Sequence, residues 1–207
     1  MLLPRLYPIL DAGCFPDANA MLAAAEELAA AGCALLQYRN KSGNGRQMLD
    51  HARELKARLG AISRPNVKLI MNDRADLCLA SGFDGLHLGQ EDLLPESARR
   101  ILGPDRWLGV STHNPEQLAE ADKASADYLA IGPIFATTSK ANPDPVVGLE
   151  GLRRARELTR KPLVAIGGIT RANARSVIDA GADAVAVISD LLRDPRKSAE
   201  EFLRVLG

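Results

Sequence analysis

Eight short β-prone runs, each followed by a stretch with helical spacing of apolar residues, constrain the chain more than any other feature. The runs are Leu6 to Leu10, Ala34 to Tyr38, Lys68 to Met71, Leu86 to Leu88, Trp107 to Val110, Tyr128 to Ile131, Leu163 to Ile166 and Ala184 to Ile188. Between them lie amphipathic stretches such as Ala18 to Ala31, Gln47 to Leu59, Arg74 to Ser81, Pro115 to Ala124, Ala172 to Ala180 and Ser198 to Leu206. Runs alternating with helices point to parallel βαβ units. Eight units in 207 residues leave about 26 residues each, near the minimum for a βα pair, with no room for a second domain. The expectation is one (β/α)8 TIM barrel spanning residues 1–207. Ala31-Gly32, Ser81-Gly82 and Ala180-Gly181 each stand between a helix and the next strand, so these glycines read as left-handed helix caps on the stability face.

Composition narrows what such a barrel can serve. Hydrophobic residues make up 46% of the chain and charged residues 25%, enough for one buried core, while 26 basic and 26 acidic residues cancel. No global field favours nucleic acid or an anionic membrane, so small-molecule substrates are expected and any anion site must be local. The opening MLLPRLYPILD is broken by Pro4, Arg5, Pro8 and Asp11, too interrupted for a signal sequence, and no apolar run reaches the length of a membrane span. Cys14, Cys33 and Cys78 are odd in number and show no CxxC spacing, which fits free thiols in a cytoplasmic protein. A homo-oligomer is compatible with this composition.

The chemistry gathers just past the strand ends, where βα loops meet in a parallel barrel. Strand three ends in Asn72-Asp73 and strand four in Gly89-Gln90-Glu91-Asp92. Asp73 and Asp92 can converge on one hard cation with Asn72 beside it, or each can simply cap the helix that follows. Strand two ends in Gln37, Arg39 and Lys41, alternate residues that share one face; the bland reading is a solvated basic rim whose loss would leave stability almost unchanged. After strand six, Gly132-Pro133 opens a loop bearing Thr137, Thr138, Ser139 and Lys140, which reads as an anion cradle or as an ordinary polar turn. Gly167-Gly168 and Ile188-Ser189 close strands seven and eight, the usual phosphate-binding loops of this fold. His87, flanked by leucines, reads as a satisfied interior residue without a catalytic role.

Taken in order, Gln37-Tyr38-Arg39-Asn40-Lys41, Asn72-Asp73, His87-Leu88-Gly89-Gln90-Glu91-Asp92, Gly109-Val110-Ser111, Gly132-Pro133-Ile134-Phe135 with Thr137 to Lys140, and Ile166-Gly167-Gly168-Ile169 resemble the motif series of the thiamine-phosphate synthase family. The resemblance runs through nearly all of the chain. It implies a transferase that joins 4-amino-2-methyl-5-hydroxymethylpyrimidine diphosphate to a thiazole phosphate, releasing pyrophosphate and using Mg2+. It implies that Asp73 and Asp92 hold the metal. Gln37, Tyr38, Arg39, Asn40, Lys41, Asn72, Ser111 and Lys140 would bind the pyrimidine diphosphate, with Arg39, Lys41, Ser111 and Lys140 also serving catalysis. Thr137, Thr138, Ser139, Gly168, Ile188 and Ser189 would bind the thiazole phosphate.

The resemblance further implies a dissociative step through a pyrimidine-methylene cation that needs no protein nucleophile, in keeping with the lack of a Cys-His or Ser-His-Asp arrangement. Ala136 and Ser139 depart from the family's frequent Pro and Thr, which loosens the loop while keeping the hydroxyl. Two rivals are a thiazole tautomerase-like isomerase and a non-catalytic phosphate-binding barrel. Neither requires the diphosphate-binding cations together with paired acids.

Overall fold

In the computed structural model, which describes residues 3–61, 66–137 and 144–207, eight parallel strands close into a barrel in chain order. They are β1 (Leu6–Asp11), β2 (Leu35–Arg39), β3 (Lys68–Asn72), β4 (Gly85–Leu88), β5 (Trp107–Thr112), β6 (Tyr128–Ile131), β7 (Leu163–Ile166) and β8 (Ala184–Val187). The outer helices are α1 (Ala18–Ala30), α2 (Gly45–Gly60), α3 (Ala75–Ser81), α4 (Pro95–Leu102), α5 (Pro115–Lys123), α6 (Gly148–Leu158), α7 (Ala174–Asp179) and α8 (Pro195–Leu206). β1 pairs with both β2 and β8, which seals the sheet and leaves no edge strand. No helix among the described residues is long and apolar enough to cross a membrane.

Local chemistry moves several boundaries from their expected places. α2 begins at Gly45 because Asn44 caps it, accepting from the Gln47 N–H at 3.0 Å, and α8 begins at Pro195 because Asp194 accepts from the Lys197 N–H at 3.2 Å. α7 starts late, at Ala174, since a turn comes first: Asn173 accepts from the Thr170 N–H at 2.8 Å. β1 and β5 run on to Asp11 and Thr112, and short 3-10 turns occupy Ala12–Cys14 and Ser189–Leu191. Gly32, Gly82 and Gly181 do take positive φ at the helix-to-strand turns.

Alternation along each strand divides the core in two. Outward residues such as Leu36, Tyr38, Leu69, Leu86 and Leu108 pack under the helices. Inward residues, among them Tyr7, Ile9, Leu35, Ile70, Tyr128, Ala130, Val164 and Ala184, fill the barrel. Tyr7, Tyr38, Tyr128 and Phe83 are among the largest fully buried side chains. Gly109 faces the interior beside Tyr128, and a Cβ there would overlap the tyrosine ring, so its lack of a side chain makes the ring's place. The cysteines are free, with Cys33 and Cys78 buried; burial pushes their thiols up to about 12 and about 11, which keeps them protonated and inert.

Gly109→Ala is expected to displace the Tyr128 ring and to destabilise the protein by about 1–3 kcal/mol, as overpacking of a filled interior does. Denaturant unfolding measures the loss. An unchanged midpoint would mean that the ring has room to move.

Candidate active site

The C-terminal ends of the strands carry a dense set of charged and hydrogen-bonding side chains. On β2 the inward residues are Leu35, Gln37 and Arg39, and Gln37 is 2% exposed. Arg39 lies level with Asp11 of the neighbouring strand and forms an ion pair with it. Asp11 is buried and also accepts from the Gly13 N–H at 3.1 Å. This corrects the reading of Arg39 as a solvated rim charge: its partner is a buried carboxylate that would be left uncompensated without it. Asp11 is not among the candidate residues of the sequence, although it too is an acid just past a β-prone run, as Asp73 and Asp92 are.

Tyr38 is placed otherwise than expected. Its ring lies on the outer face under α2, with its hydroxyl 3.0 Å from His51 Nδ1, so the side chain does not face the mouth. Asn40 serves its own loop, accepting from the backbone N–H groups of Ser42 and Gly43 at 3.1 and 2.8 Å and donating to the Tyr38 hydroxyl at 3.2 Å. Both therefore stand as supports of the β2 terminus, because the two-residue alternation that turns Gln37 and Arg39 inward turns Tyr38 outward.

The acids come together as expected. Asp73 follows β3 with φ of 61°, the one non-glycine residue at positive φ among the described residues. Aspartate tolerates this region better than most residues, and such outliers cluster at functional sites. The turn is held by the Asp73 N–H donating to the His87 carbonyl at 2.8 Å and the Arg74 N–H donating to the Asn72 carbonyl at 2.8 Å. The Asp73 carboxylate pairs with Lys41 and lies within hydrogen-bonding reach of Asp92. Burial, then the neighbouring Asp92 carboxyl, raises the Asp73 pKa against the opposing pull of Lys41. Asn72 is buried alongside.

Neither acid caps a helix. α3 begins after Arg74 and α4 after Leu94, both without a side-chain cap, and Asp92 instead accepts from the Gly89 N–H at 2.7 Å, tightening its own loop. Two carboxylates with oxygen donors only, already matched by an ammonium group, are a donor set suited to a hard cation that takes its other ligands from a phosphate-bearing substrate. No group of three or more metal-ligating side chains occurs among the described residues.

Ser111, at the end of β5, is half-buried. Its Oγ lies 2.8 Å from His87 Nε2, and His87 Nδ1 lies 3.0 Å from the Tyr128 hydroxyl. His87 is thus an interior, satisfied residue, and burial pushes its pKa down to about 4, so the ring is neutral near pH 7. Gln90 donates to the Ser111 carbonyl at 2.5 Å. Across the mouth, the loops after β6 and β7 are joined by Ile134 N–H donating to the Ile166 carbonyl at 2.9 Å and Phe135 N–H donating to the Gly167 carbonyl at 3.0 Å. Gly167 and Gly168 both have positive φ, and a Cβ at Gly168 would meet the Ala136 carbonyl and the Phe135 side chain. Thr137 is therefore delivered close in chain to the Gly168 contact. Ile188 and Ser189 follow β8, Ile188 packing on the barrel interior and Ser189 exposed. Thr138, Ser139 and Lys140 lie outside the described residues.

Residues 6–191 match the family model described as thiamine monophosphate synthase. The chain is 64% identical over 207 residues to a thiamine-phosphate synthase of Koribacter versatilis (strain Ellin345), covering 99% of this chain and 96% of that one. It is 43% identical over 203 residues to a thiamine-phosphate synthase of Chloroflexus aurantiacus, covering 98% and 92%. The solved structure of a thiamine phosphate pyrophosphorylase from Pyrococcus furiosus superposes with a TM-score of 0.84 at 35% identity, over 98% of this chain and 95% of that one.

Asp92→Asn is expected to lower the Asp73 pKa, since the neighbouring carboxyl is one of the two causes that raise it and Lys41 remains to oppose burial. A carboxyl-carbon NMR titration of metal-free protein reads this directly. Stability should hold, because the asparagine oxygen still accepts from Gly89; a clear loss would mean that the carboxylate charge, and not the hydrogen bond alone, holds the loop.

Proposed function

Because the chain belongs to the thiamine monophosphate synthase family, we propose that its barrel mouth joins 4-amino-2-methyl-5-hydroxymethylpyrimidine diphosphate to a thiazole phosphate, giving thiamine phosphate and pyrophosphate. The observation that carries this reading is the cluster at adjacent strand ends in which Arg39 is paired with Asp11, and Lys41 with Asp73 beside Asp92. A site for one phosphate has no need of paired acids. A leaving diphosphate with a divalent ion does.

In this reading Asp73 and Asp92 hold Mg2+, which supplies Lewis-acid neutralisation of charge on the departing diphosphate. Arg39 and Lys41 bind the diphosphate oxygens, and the family pattern assigns Lys140 to the same group. Lys41 then exchanges its contact with Asp73 for a phosphate oxygen. As the carbon–oxygen bond breaks, its electron pair leaves with pyrophosphate, and the aminopyrimidine ring delocalises the positive charge left on its methylene carbon. The thiazole nitrogen lone pair then forms the new carbon–nitrogen bond. No protein nucleophile takes part; the side chains hold charge and geometry.

The pyrimidine lies against Gln37, Asn72 and Ser111, the inward residues of β2, β3 and β5, with Tyr38 and Asn40 supporting the β2 end from outside. The thiazole phosphate lies across the mouth against Thr137, Gly168, Ile188 and Ser189, and the family pattern assigns Thr138 and Ser139 to the same ligand. Donors on that side are neutral, so the thiazole phosphate should bind without magnesium.

Mixing the two substrates with protein is expected to release pyrophosphate and form thiamine phosphate only with Mg2+ present, read by phosphorus NMR. Formation without any divalent ion, or no formation with it, would defeat the reading. Arg39→Ala should weaken use of the pyrimidine diphosphate about 10- to 100-fold, as loss of a charge-assisted contact does, and should also lower the melting temperature because Asp11 is stranded. Adding Asp11→Asn to that variant should recover stability without recovering turnover.

A further inference from the structure

Five inward side chains form one unbroken line of hydrogen bonds through the barrel. Gln37 Nε2 lies 2.9 Å from the Tyr7 hydroxyl, which lies 3.0 Å from the Tyr128 hydroxyl. Tyr128 in turn lies 3.0 Å from His87 Nδ1, and His87 Nε2 lies 2.8 Å from Ser111 Oγ. The aromatic members brace one another: Tyr7 meets Tyr128 edge-on at 6.1 Å between centroids, and His87 stacks on Tyr128 at 5.6 Å. Gln37, Tyr7, Tyr128 and His87 are all buried, and only Ser111, at the mouth, is partly open. The line thus starts at one strand end assigned to the pyrimidine diphosphate and finishes at another.

Each hydroxyl, and a neutral imidazole, carries one hydrogen along such a line. The whole line therefore runs in one of two directions. If the Gln37 amide donates to Tyr7, then Tyr7 donates to Tyr128 and Tyr128 to His87 Nδ1. His87 must then carry its proton on Nε2 and donate to Ser111, whose own hydrogen is left for the mouth. In the reverse order Ser111 spends its hydrogen on His87 and shows the mouth only lone pairs. The Gln37 amide nitrogen on the Tyr7 hydroxyl can only donate, which selects the first order: in the reverse one the Tyr7 hydrogen would meet no acceptor at that end of the line.

We propose that His87 is a positioning residue, its tautomer set by Tyr128 and Tyr7, that holds Ser111 as a hydrogen-bond donor to an acceptor atom of the pyrimidine diphosphate. The assignment of that ligand rests on the synthase reading above. The order of hydrogens rests on the geometry within the barrel. His87 needs no contact with substrate and no change of charge. It acts through Ser111.

Nitrogen-15 correlation spectra of histidine-labelled protein without substrate test the order directly. Wild type is expected to show His87 as the Nε2–H tautomer, and Tyr128→Phe, which keeps the ring but not the donor to Nδ1, to show a mixture. An Nδ1–H tautomer in wild type would overturn the proposal. In turnover, Ser111→Ala and His87→Leu should each lose about tenfold, the scale of one hydrogen bond, and the double variant no more than either alone. His87→Gln, whose amide N–H can take the place of Nε2–H, should regain most of the loss even if the leucine variant folds poorly. Additive losses, or no rescue by glutamine in a folded variant, would reduce His87 to a packing role. The spectra require no turnover, so absence of thiamine phosphate formation would count against the synthase reading while leaving the tautomer result to judge the hydrogen-bonded line by itself.

Discussion

Closure of a parallel sheet with two-residue alternation governs everything else in this molecule. Once β1 has paired with both β2 and β8, each strand must send alternate side chains inward, and the last inward residue of each strand lands at the same end. Arg39, Asn72, His87 and Ser111 are neighbours for this reason alone, though they are far apart in the chain. The same rule removes Tyr38 from the mouth, since it sits between two inward residues. Space inside is then allotted by size: Gly109 gives way so that Tyr128 can cross the interior and reach both Tyr7 and His87.

Charges at the mouth are held in opposite pairs drawn from different strands. Arg39 has Asp11, Lys41 has Asp73, and the acid that remains, Asp92, sets its charge beside Asp73. Buried or half-buried charges without partners would be costly, so pairing lets the barrel keep an ionic site in its ligand-free form. Pairing also creates the means of exchange. A divalent ion and a diphosphate bring one positive and one negative centre into the same space, and the Lys41–Asp73 pair can open to meet both. The Arg39–Asp11 pair is more enclosed and acts as a fixed wall.

Much of this was legible in the chain before folding was considered. Alternating runs gave the barrel and its eight strands, and acids in the short segments just past two successive β-prone runs marked Asp73 and Asp92. Boundaries drifted where side chains overrode periodicity, as with the Asn44 and Asp194 caps. What stayed hidden was contact between distant residues. Asp11 lies level with Arg39 only through strand register. The line from Gln37 to Ser111 joins five strands, and no spacing along the chain discloses a Tyr7–Tyr128 hydrogen bond across 121 positions. His87 was recognised as interior, but its partners depend on closure of the sheet.

The central claim is that Asp73 and Asp92 together, opposed by Lys41, form a metal site completed by a diphosphate. Calorimetric titration with Mn2+, in the presence and absence of inorganic pyrophosphate, addresses it most directly. The account predicts one ion per chain, bound weakly alone and much more tightly with pyrophosphate, with the enhancement lost when either Asp73 or Asp92 becomes asparagine. Equal Mn2+ affinity with and without pyrophosphate, or an enhancement that survives both substitutions, would contradict it.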